Sequence, residues 1–273
     1  MARIKTPIFT AIKLVPVLII MFVGLLSSCN SEGKNMKAEL FFDPKMVELL
    51  HAIQRQDTAS AKSMLAQGID LNIRGDEGIT PLLWLIMQKN TDAVELALQL
   101  GADANFPAMV SINRDGPKPA QPLAIIAGDG DNKLFSLLLK YGASPDSRDE
   151  STGQPAIFGT IGHDNWQQFN LLLEYGVDID ATDNSGENAA LYASGILKFD
   201  FVVKLLERGI DFTKADNAGV TLAHAIETDF NNQRRNPNFK LSEEVHIAKK
   251  MLEDKGISFP PPTPKEIRAQ RNQ

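Results

Sequence analysis

Cysteine is almost absent from the chain, since Cys29 is the only one among 273 residues. No disulfide can therefore form within one chain, and the fold has to be stable through packing alone. Histidine is also rare, with four residues, and none of them belongs to a His-x-x-x-His pair or lies near a Cys-x-x-Cys motif. These spacings bring metal ligands together, so the sequence predicts neither a metal site nor a metal cofactor.

The short motifs that position catalytic groups are missing as well. There is no Gly-x-Ser-x-Gly elbow, and Gly128-Asp129-Gly130 lacks the lysine and the flanking strand of a phosphate-binding loop. We therefore expect no enzyme, no cofactor and no small-molecule substrate. An enzyme is the least favoured alternative, and activity of the purified protein on lipid or peptide substrates would contradict its exclusion.

Positive charge is scarce, because 34 acidic residues outnumber 28 Lys and Arg and give a formal net charge of −6. Nucleic-acid binding requires a cluster of Lys and Arg that neutralises phosphates, and the sequence shows no such cluster. The composition therefore predicts no nucleic-acid partner.

The N-terminus contains the one long apolar run. Residues 8–26 carry a single charge, Lys13, and follow Arg3 and Lys5. A basic start, an apolar middle and small residues before a cleavage point are typical of a secretory signal peptide, which we predict over residues 1–28. Its removal takes away these three cations and no acid, so the formal charge becomes −9.

The end of this run, Leu26-Ser27-Ser28-Cys29, resembles the bacterial lipobox, whose cysteine becomes the lipidated N-terminus. The resemblance implies a diacylglycerol and an amide-linked acyl chain on Cys29, which anchor a protein stably. The next residue is Asn30 rather than aspartate, which among such lipoproteins favours the outer over the inner membrane. An uncleaved signal anchor, or an ordinary cleaved signal with a free Cys29, remains the alternative.

Residues 29–42 are predicted to be the lipidated cysteine and a flexible tether, because residues 30–40 are polar and poor in β-branched and aromatic side chains. Beyond the tether, glycines recur behind runs of leucine at intervals of 33, 41, 34, 33 and 47 residues. Glycine readily adopts the left-handed conformation that ends a helix. The pattern predicts helix ends at Gly68, Gly101, Gly142, Gly176, Gly209 and Gly256.

A recurring period of 33 residues is that of ankyrin repeats. Gly78-Ile79-Thr80-Pro81-Leu82 agrees with the start of such a repeat, because Thr80 can cap a helix whose first turn contains Pro81. On these residues the chain resembles the ankyrin-repeat family over residues 44–257. The family's motif histidine is kept only at His224, where the resemblance implies a bond from the ring to neighbouring backbone.

The resemblance implies an all-α fold, a solenoid of stacked helix-turn-helix units with short β-turn fingers. We expect about six units over residues 43–257, with insertions near residues 106–120 and 229–241 that form loops. Residues 258–273 begin with a proline-rich run and are predicted to be an extended tail.

Ankyrin stacks bind proteins through their concave face, turn tips and insertions, so the resemblance places the partner-binding candidates there. Trp84 is of interest because tryptophan is enriched at binding hot spots, although local packing is its alternative role. For each charged candidate the alternative is a solvated side chain. The candidates are Arg74, Asp76, Trp84, Phe106, Arg114, Lys118, Arg148, Arg234 and Arg235.

The overall plan is a lipobox, degenerate ankyrin units and a long insertion before the last helix of the units. It resembles ankyrin lipoproteins that serve as immunity proteins against type VI secretion lipase effectors. This implies a membrane-anchored protein that faces the periplasm and neutralises a protein partner, possible partners being toxins or effectors. An envelope scaffold or stress-protection factor that supports a periplasmic enzyme is the alternative, and the adjoining genes would discriminate between the two.

Overall fold

The computed structural model describes residues 36–110 and 116–271. The predicted signal peptide, Cys29 and the start of the tether lie outside these residues, as does Arg114. Within the two ranges the chain forms thirteen α-helices and four short strands. None of these helices is both long and apolar enough to cross a membrane.

Twelve of these helices follow one another as six pairs. The pairs are α1 (Pro44–Gln54) and α2 (Thr58–Ala66), α3 (Pro81–Met87) and α4 (Thr91–Gln99), α5 (Pro122–Ile125) and α6 (Asn132–Lys140), α7 (Ala156–Gly162) and α8 (Trp166–Glu174), α9 (Ala189–Gly195) and α10 (Phe199–Glu207), and α11 (Leu222–Arg235) and α12 (Glu243–Asp254). Each pair packs on the next, so that α5, α7, α9 and α11 lie side by side, as do α4, α6 and α8. The chain ends in α13 (Pro264–Arg271).

Local sequence sets where these helices begin and end. Nine of the described helices start behind an Asp, Asn or Thr whose side chain accepts a first-turn N–H, namely Asp43, Asp57, Thr80, Asn90, Asp131, Asn165, Asn188, Thr221 and Thr263. The six glycines predicted to end helices all have positive φ, and a Cβ there would meet no atom within 4 Å. The prediction from the glycine pattern is therefore confirmed.

Large apolar side chains fill the space between the helices. The fully buried ones include Phe135, Phe158, Phe169 and Phe201. Trp166, at the start of α8, stacks on Phe201 of α10 with ring centroids 4.0 Å apart. The core is thus continuous from one pair to the next, since these rings contact across the junction.

One hydrogen bond recurs between consecutive pairs, in the turn behind the terminating glycine. A side-chain oxygen of one unit accepts the main-chain N–H of the next at 2.7 Å each time: Asn72 from Asp103, Asn105 from Ser144, Asp146 from Asp178, and Asp180 from Asp211. We call these four bonds the inter-unit ladder. Each contributes on the order of 1 kcal/mol to stability.

The all-α prediction needs a correction, because four strands form one antiparallel sheet in the order β1-β2-β3-β4. They are β1 (Ala108–Val110), β2 (Lys118–Ala120), β3 (Arg148–Asp149) and β4 (Gln154–Pro155). The insertion at residues 106–120 thus contains two strands that pair with each other, and Ala120 pairs with Asp149 of the next unit. An insertion long enough to fold back satisfies its own backbone groups in this way.

The predicted tether also needs a correction from Met36 onwards. Residues 38–40 form a 3₁₀ turn, and Ala38 and Phe42 are buried. The indole Nε1 of Trp84 donates to the Met36 carbonyl oxygen at 3.1 Å. The tether therefore ends in a packed segment, residues 36–42, which we call the N-terminal strap.

Two further predictions differ from the structure near the C-terminus. The insertion at residues 229–241 is a loop only from residue 236, because α11 continues to Arg235 through a stretch without glycine or proline. The tail is extended only up to Thr263, and α13 follows. Thr263 and Glu266 cap that helix reciprocally: the Glu266 carboxylate accepts the Thr263 N–H at 2.7 Å, and the Thr263 hydroxyl accepts the Glu266 N–H at 3.3 Å.

Candidate functional site

Four of the predicted partner-binding residues lie near one another on the second and third units. The Arg74 guanidinium lies over the Phe106 ring, 5.0 Å from its centroid, and Arg74 Nε donates to the Pro107 carbonyl oxygen at 2.8 Å. These contacts hold the base of the β1–β2 segment against the second unit. Lys118 is exposed on β2, opposite Val110.

Asp76 lies beside them, on the 3₁₀ turn Asp76–Gly78 that contacts β1. The main-chain N–H of Asp76 donates to the Phe41 carbonyl oxygen at 2.8 Å, and the residue is exposed. The approach to β1 requires glycine at position 78, since a Cβ there would lie 2.3 Å from the Met109 Cβ. Arg74, Asp76, Phe106 and Lys118 together form what we call the hairpin surface, which offers both charges and an aromatic edge.

Trp84 lies in an open groove of about 640 Å³ at the N-terminal end. Its side chain is only 3% exposed, and Gln88 Nε2 donates to the same Met36 oxygen as the indole, at 3.1 Å. The structure thus favours packing as the role of Trp84, because the N-terminal strap covers it. The groove presents polar side chains above this apolar floor, among them His51 and Gln54.

Arg148 joins neighbouring units. Its Nη1 donates to the Gly153 carbonyl oxygen at 3.0 Å and to the Thr182 carbonyl oxygen at 2.8 Å. The half-buried guanidinium therefore holds two turns together, a role that the sequence analysis did not foresee. Its contact with a partner stays a prediction.

Arg234 and Arg235 lie at the end of α11, on the sixth unit, and the hairpin surface belongs to the second and third. Arg234 Nη2 contacts Glu227 Oε1 and Asn231 Oδ1, both at 2.6 Å, while Arg235 is exposed. Arg234 and Arg235 thus lie apart from the hairpin surface, since nothing in the order of the units brings the two regions together.

Two partly buried carboxyls were missed by the sequence analysis. Burial raises the pKa of Glu187, and the nearby Asp183 and Asp216 raise it further. Burial alone raises the pKa of Asp229, on α11. No sequence signal identifies these groups, because the desolvation depends on the packing around them.

The carboxylate of Glu95, whose pKa is lowered instead of raised, joins α4 to α6. Hydrogen bonds from Lys140 and Tyr141 lower the pKa of Glu95, and the distances from its Oε1 are 3.2 and 3.1 Å. This pairing is exposed and links two units. Across residues 36–110 and 116–271, no group of three or more His, Cys, Asp or Glu side chains is arranged to hold a metal ion.

Comparison with known proteins gives one partial similarity. No family model matches the chain. Protein PhlB of Serratia liquefaciens is 28% identical over 138 residues, which are 50% of this chain and 57% of PhlB. The chain thus matches little more than half the length of this relative.

Proposed function

We propose that the chain is a lipid-anchored ankyrin-repeat protein that binds and neutralises a protein in the periplasm, such as a secreted lipase effector. The observation that carries the proposal is the row of six helix pairs, each packed on the next, of which the first five are joined by the inter-unit ladder. Such a row suits a binding protein, because each unit contacts only its neighbours and one long face is left free.

The ankyrin assignment rests on several features that coincide. Helix ends recur at the 33-residue period, and Thr80 and Pro81 start a helix as the repeat motif requires. Between consecutive units lie short turns, such as the one that ends in the isolated bridge between Thr182 and Asn188. We assign the β1–β2 segment to an elongated turn of this kind, which enlarges the surface that a partner meets.

The proposed partner surface comprises the hairpin surface and the groove at the N-terminal strap. Arg74, Asp76 and Lys118 supply exposed charges of both signs, which set orientation and specificity in an interface more than raw affinity. The arrangement fits protein binding better than catalysis, because it holds no nucleophile beside a base.

The proposed anchor places this surface where an effector that attacks the envelope would act. A lipid on Cys29 confines the protein to the membrane surface, which raises its effective concentration near a target there. We assign the anchor to the outer membrane on the residue after the cysteine, Asn30.

The anchor is tested by metabolic labelling with an alkyne fatty acid. The full-length wild-type chain should be labelled and fractionate with outer membrane, whereas Cys29→Ser should lose the label. A wild-type chain without label would remove the lipoprotein part of the proposal and leave the binding part to be tested separately.

Binding is tested by affinity capture from envelope extracts of the producing bacterium, followed by an activity assay of the recovered protein. We expect a lipase or another toxic enzyme, encoded beside this chain, whose activity falls when the chain is added. Recovery of an enzyme that the chain leaves active or makes more stable would favour the scaffold alternative. Inhibition that is unchanged by Arg74→Ala with Lys118→Ala would exclude the hairpin surface.

A further inference from the structure

The turn between α9 and α10 differs from the three other turns of three residues, which join α1 to α2, α3 to α4 and α7 to α8. In each of the four turns the middle residue has a positive φ, with 60° at Gln56, 54° at Lys89, 61° at Asp164 and 61° at Leu197. Three of these residues are polar and the fourth is leucine. A bulky apolar residue is the least suited to the left-handed conformation, because its side chain crowds the following carbonyl.

The residue before Leu197 is apolar as well. Ile196 and Leu197 are 40% and 47% exposed, whereas the residues that correspond to Ile196 are Arg55, Gln88 and His163. Two adjacent aliphatic side chains therefore face solvent where the other turns present polar ones.

The third position of the turn also departs from the pattern. Asp57, Asn90 and Asn165 cap the helices that follow them, whereas Lys198 makes no side-chain cap to α10. Lys198 pairs instead with Asp164 of the neighbouring turn, Nζ to Oδ2 3.0 Å apart. All three positions of this turn thus stabilise the free protein less than their counterparts do. The positive φ at Leu197 is backbone strain, which is often found at functional sites.

Helix α11 packs against α9, at whose C-terminal end this turn lies. The two helices begin behind equivalent caps, Asn188 and Thr221, so Asp229 of α11 occupies the position that corresponds to Ile196. The Asp229 carboxyl is partly buried, and this burial raises its pKa. Within the part of the chain that the structure describes, Asp229 has no ion pair, so a partly buried acid without a cation lies on the helix that packs against α9.

We propose that Ile196, Leu197 and Asp229 form a docking site for a protein segment that carries an apolar side chain next to a lysine or arginine. The apolar side chain of the partner covers Ile196 and Leu197 and removes their surface from water. The partner's cation pairs with Asp229, whose ionised form is costly in the free protein and is stabilised in the complex. This inference rests on the proposed protein-binding function and assigns it a second surface, away from the hairpin surface.

Site-specific photocrosslinking in the full-length chain identifies the occupant. A benzophenone amino acid at position 197 is compared with one at position 175, since Tyr175 is a similarly exposed apolar residue, at 45%, on the end of α8. Irradiated cells of the producing bacterium should give at least five times more adduct at 197, and the adduct peptide should contain a basic residue within three positions of an apolar one. Equal yields, an adduct peptide without a basic residue, or an adduct between two copies of this chain would overturn the inference.

A third position separates failure of this inference from failure of the proposed function. Adducts at position 118, on the hairpin surface, without adducts at 197 would leave protein binding in place and exclude the second surface. If none of the three positions forms an adduct with another protein, both proposals fail.

Replacement of Leu197 tests whether its side chain lowers the stability of the free protein and at the same time contributes to partner binding. Leu197→Asn places a residue that tolerates positive φ in the turn, so the unfolding midpoint of the free chain should rise by about 2–4 °C, while affinity for the crosslinked partner should fall at least tenfold. Asp229→Asn should weaken the same complex, and Tyr175→Asn should change neither quantity. A Leu197→Asn chain that binds the partner as tightly as wild type would contradict the proposed site.

Discussion

The two ends of the row of helix pairs are closed by different chemistry. At the N-terminal end, the strap buries Ala38 and Phe42 and covers Trp84, so it is part of the core. At the C-terminal end, α13 buries no residue and contacts the last turn through Arg268 and Arg271, which donate to main-chain oxygens. The first end is stabilised by removal of apolar surface from water, and the second by charge-assisted hydrogen bonds.

Both ends nevertheless satisfy the same kind of backbone group. Inside the row, the Thr152 carbonyl accepts from Asn184 N at 3.1 Å, and the Ser185 carbonyl accepts from Asn217 N at 2.9 Å. At the N-terminal end the Phe41 carbonyl accepts from Asp76, whereas at the C-terminal end Arg268 donates to the Ala218 carbonyl. Each terminal segment thus occupies the place of a further unit, as terminal repeats of solenoids do.

The strap should show the largest effect of substitution. Phe42→Ala removes a buried ring and leaves a cavity, so the free energy of unfolding should fall by about 3 kcal/mol. The measurement is denaturant unfolding of the purified chain. Leu40→Ala in the same strap is the control, because Leu40 is 63% exposed and its loss should change the free energy by less than about 0.5 kcal/mol. Equal effects of the two would show that the strap is not packed.

The second-largest effect should come from the hydrogen bonds that Trp84 and Gln88 donate to the Met36 oxygen at the same end. Trp84→Phe keeps an aromatic ring but removes the donor to the Met36 oxygen, and should cost about 1–2 kcal/mol in denaturant unfolding. The oxygen retains Gln88 as a donor, so Trp84→Phe with Gln88→Ala should cost more than the sum of the single changes. Additive effects would mean that the two donors act independently.

The C-terminal end should respond less. Arg268→Ala with Arg271→Ala should unfold α13 while the free energy of unfolding of the remaining fold falls by less than about 1 kcal/mol, since none of the residues of α13 is fully buried. Hydrogen exchange should accelerate over residues 264–271 and stay unchanged in α1 to α10. A loss of stability as large as that of Phe42→Ala would remove the contrast between the two ends.

The smallest effect concerns Glu187, close to the last turn. Its pKa is raised in the folded protein, so folding favours the protonated carboxyl, and that contribution is complete below the unfolded pKa and lost as the pH rises through the folded one. Glu187→Gln should therefore unfold at a slightly higher temperature than wild type at pH 7, and the difference should close below about pH 4. Glu174→Gln, the same change at an exposed position, is the control variant.

Sequence reasoning identified the features that depend on neighbouring residues. Gly142 and Gly176 end helices, and Thr80 caps one, because the left-handed conformation and the side-chain cap are decided within a few positions. The same local logic was available but unused at Thr263-Pro264-Lys265-Glu266, where a capping box begins α13. The proline-rich run before it had suggested an extended tail throughout.

The remaining features depend on contacts between distant residues. The strap is ordered by Trp84, 48 positions after Met36, and polar composition alone cannot indicate such a contact. Arg148 resembles any exposed turn arginine until its bond to the Thr182 carbonyl is known. At the hairpin surface, the sequence identified Arg74 and Phe106 separately, and only the fold shows that the guanidinium lies over the ring.

The inter-unit ladder has a consequence for how such a chain changes in evolution. Asp146 and Asp180 accept from the following unit at the same position and the same distance, 2.7 Å, so the two junctions are interchangeable in their hydrogen bonding. A recombination event that removes or duplicates one 34-residue segment between them would recreate the same junction instead of a new one. The length of the row of helix pairs is thus open to change by whole modules, while the terminal segments that close it need not change.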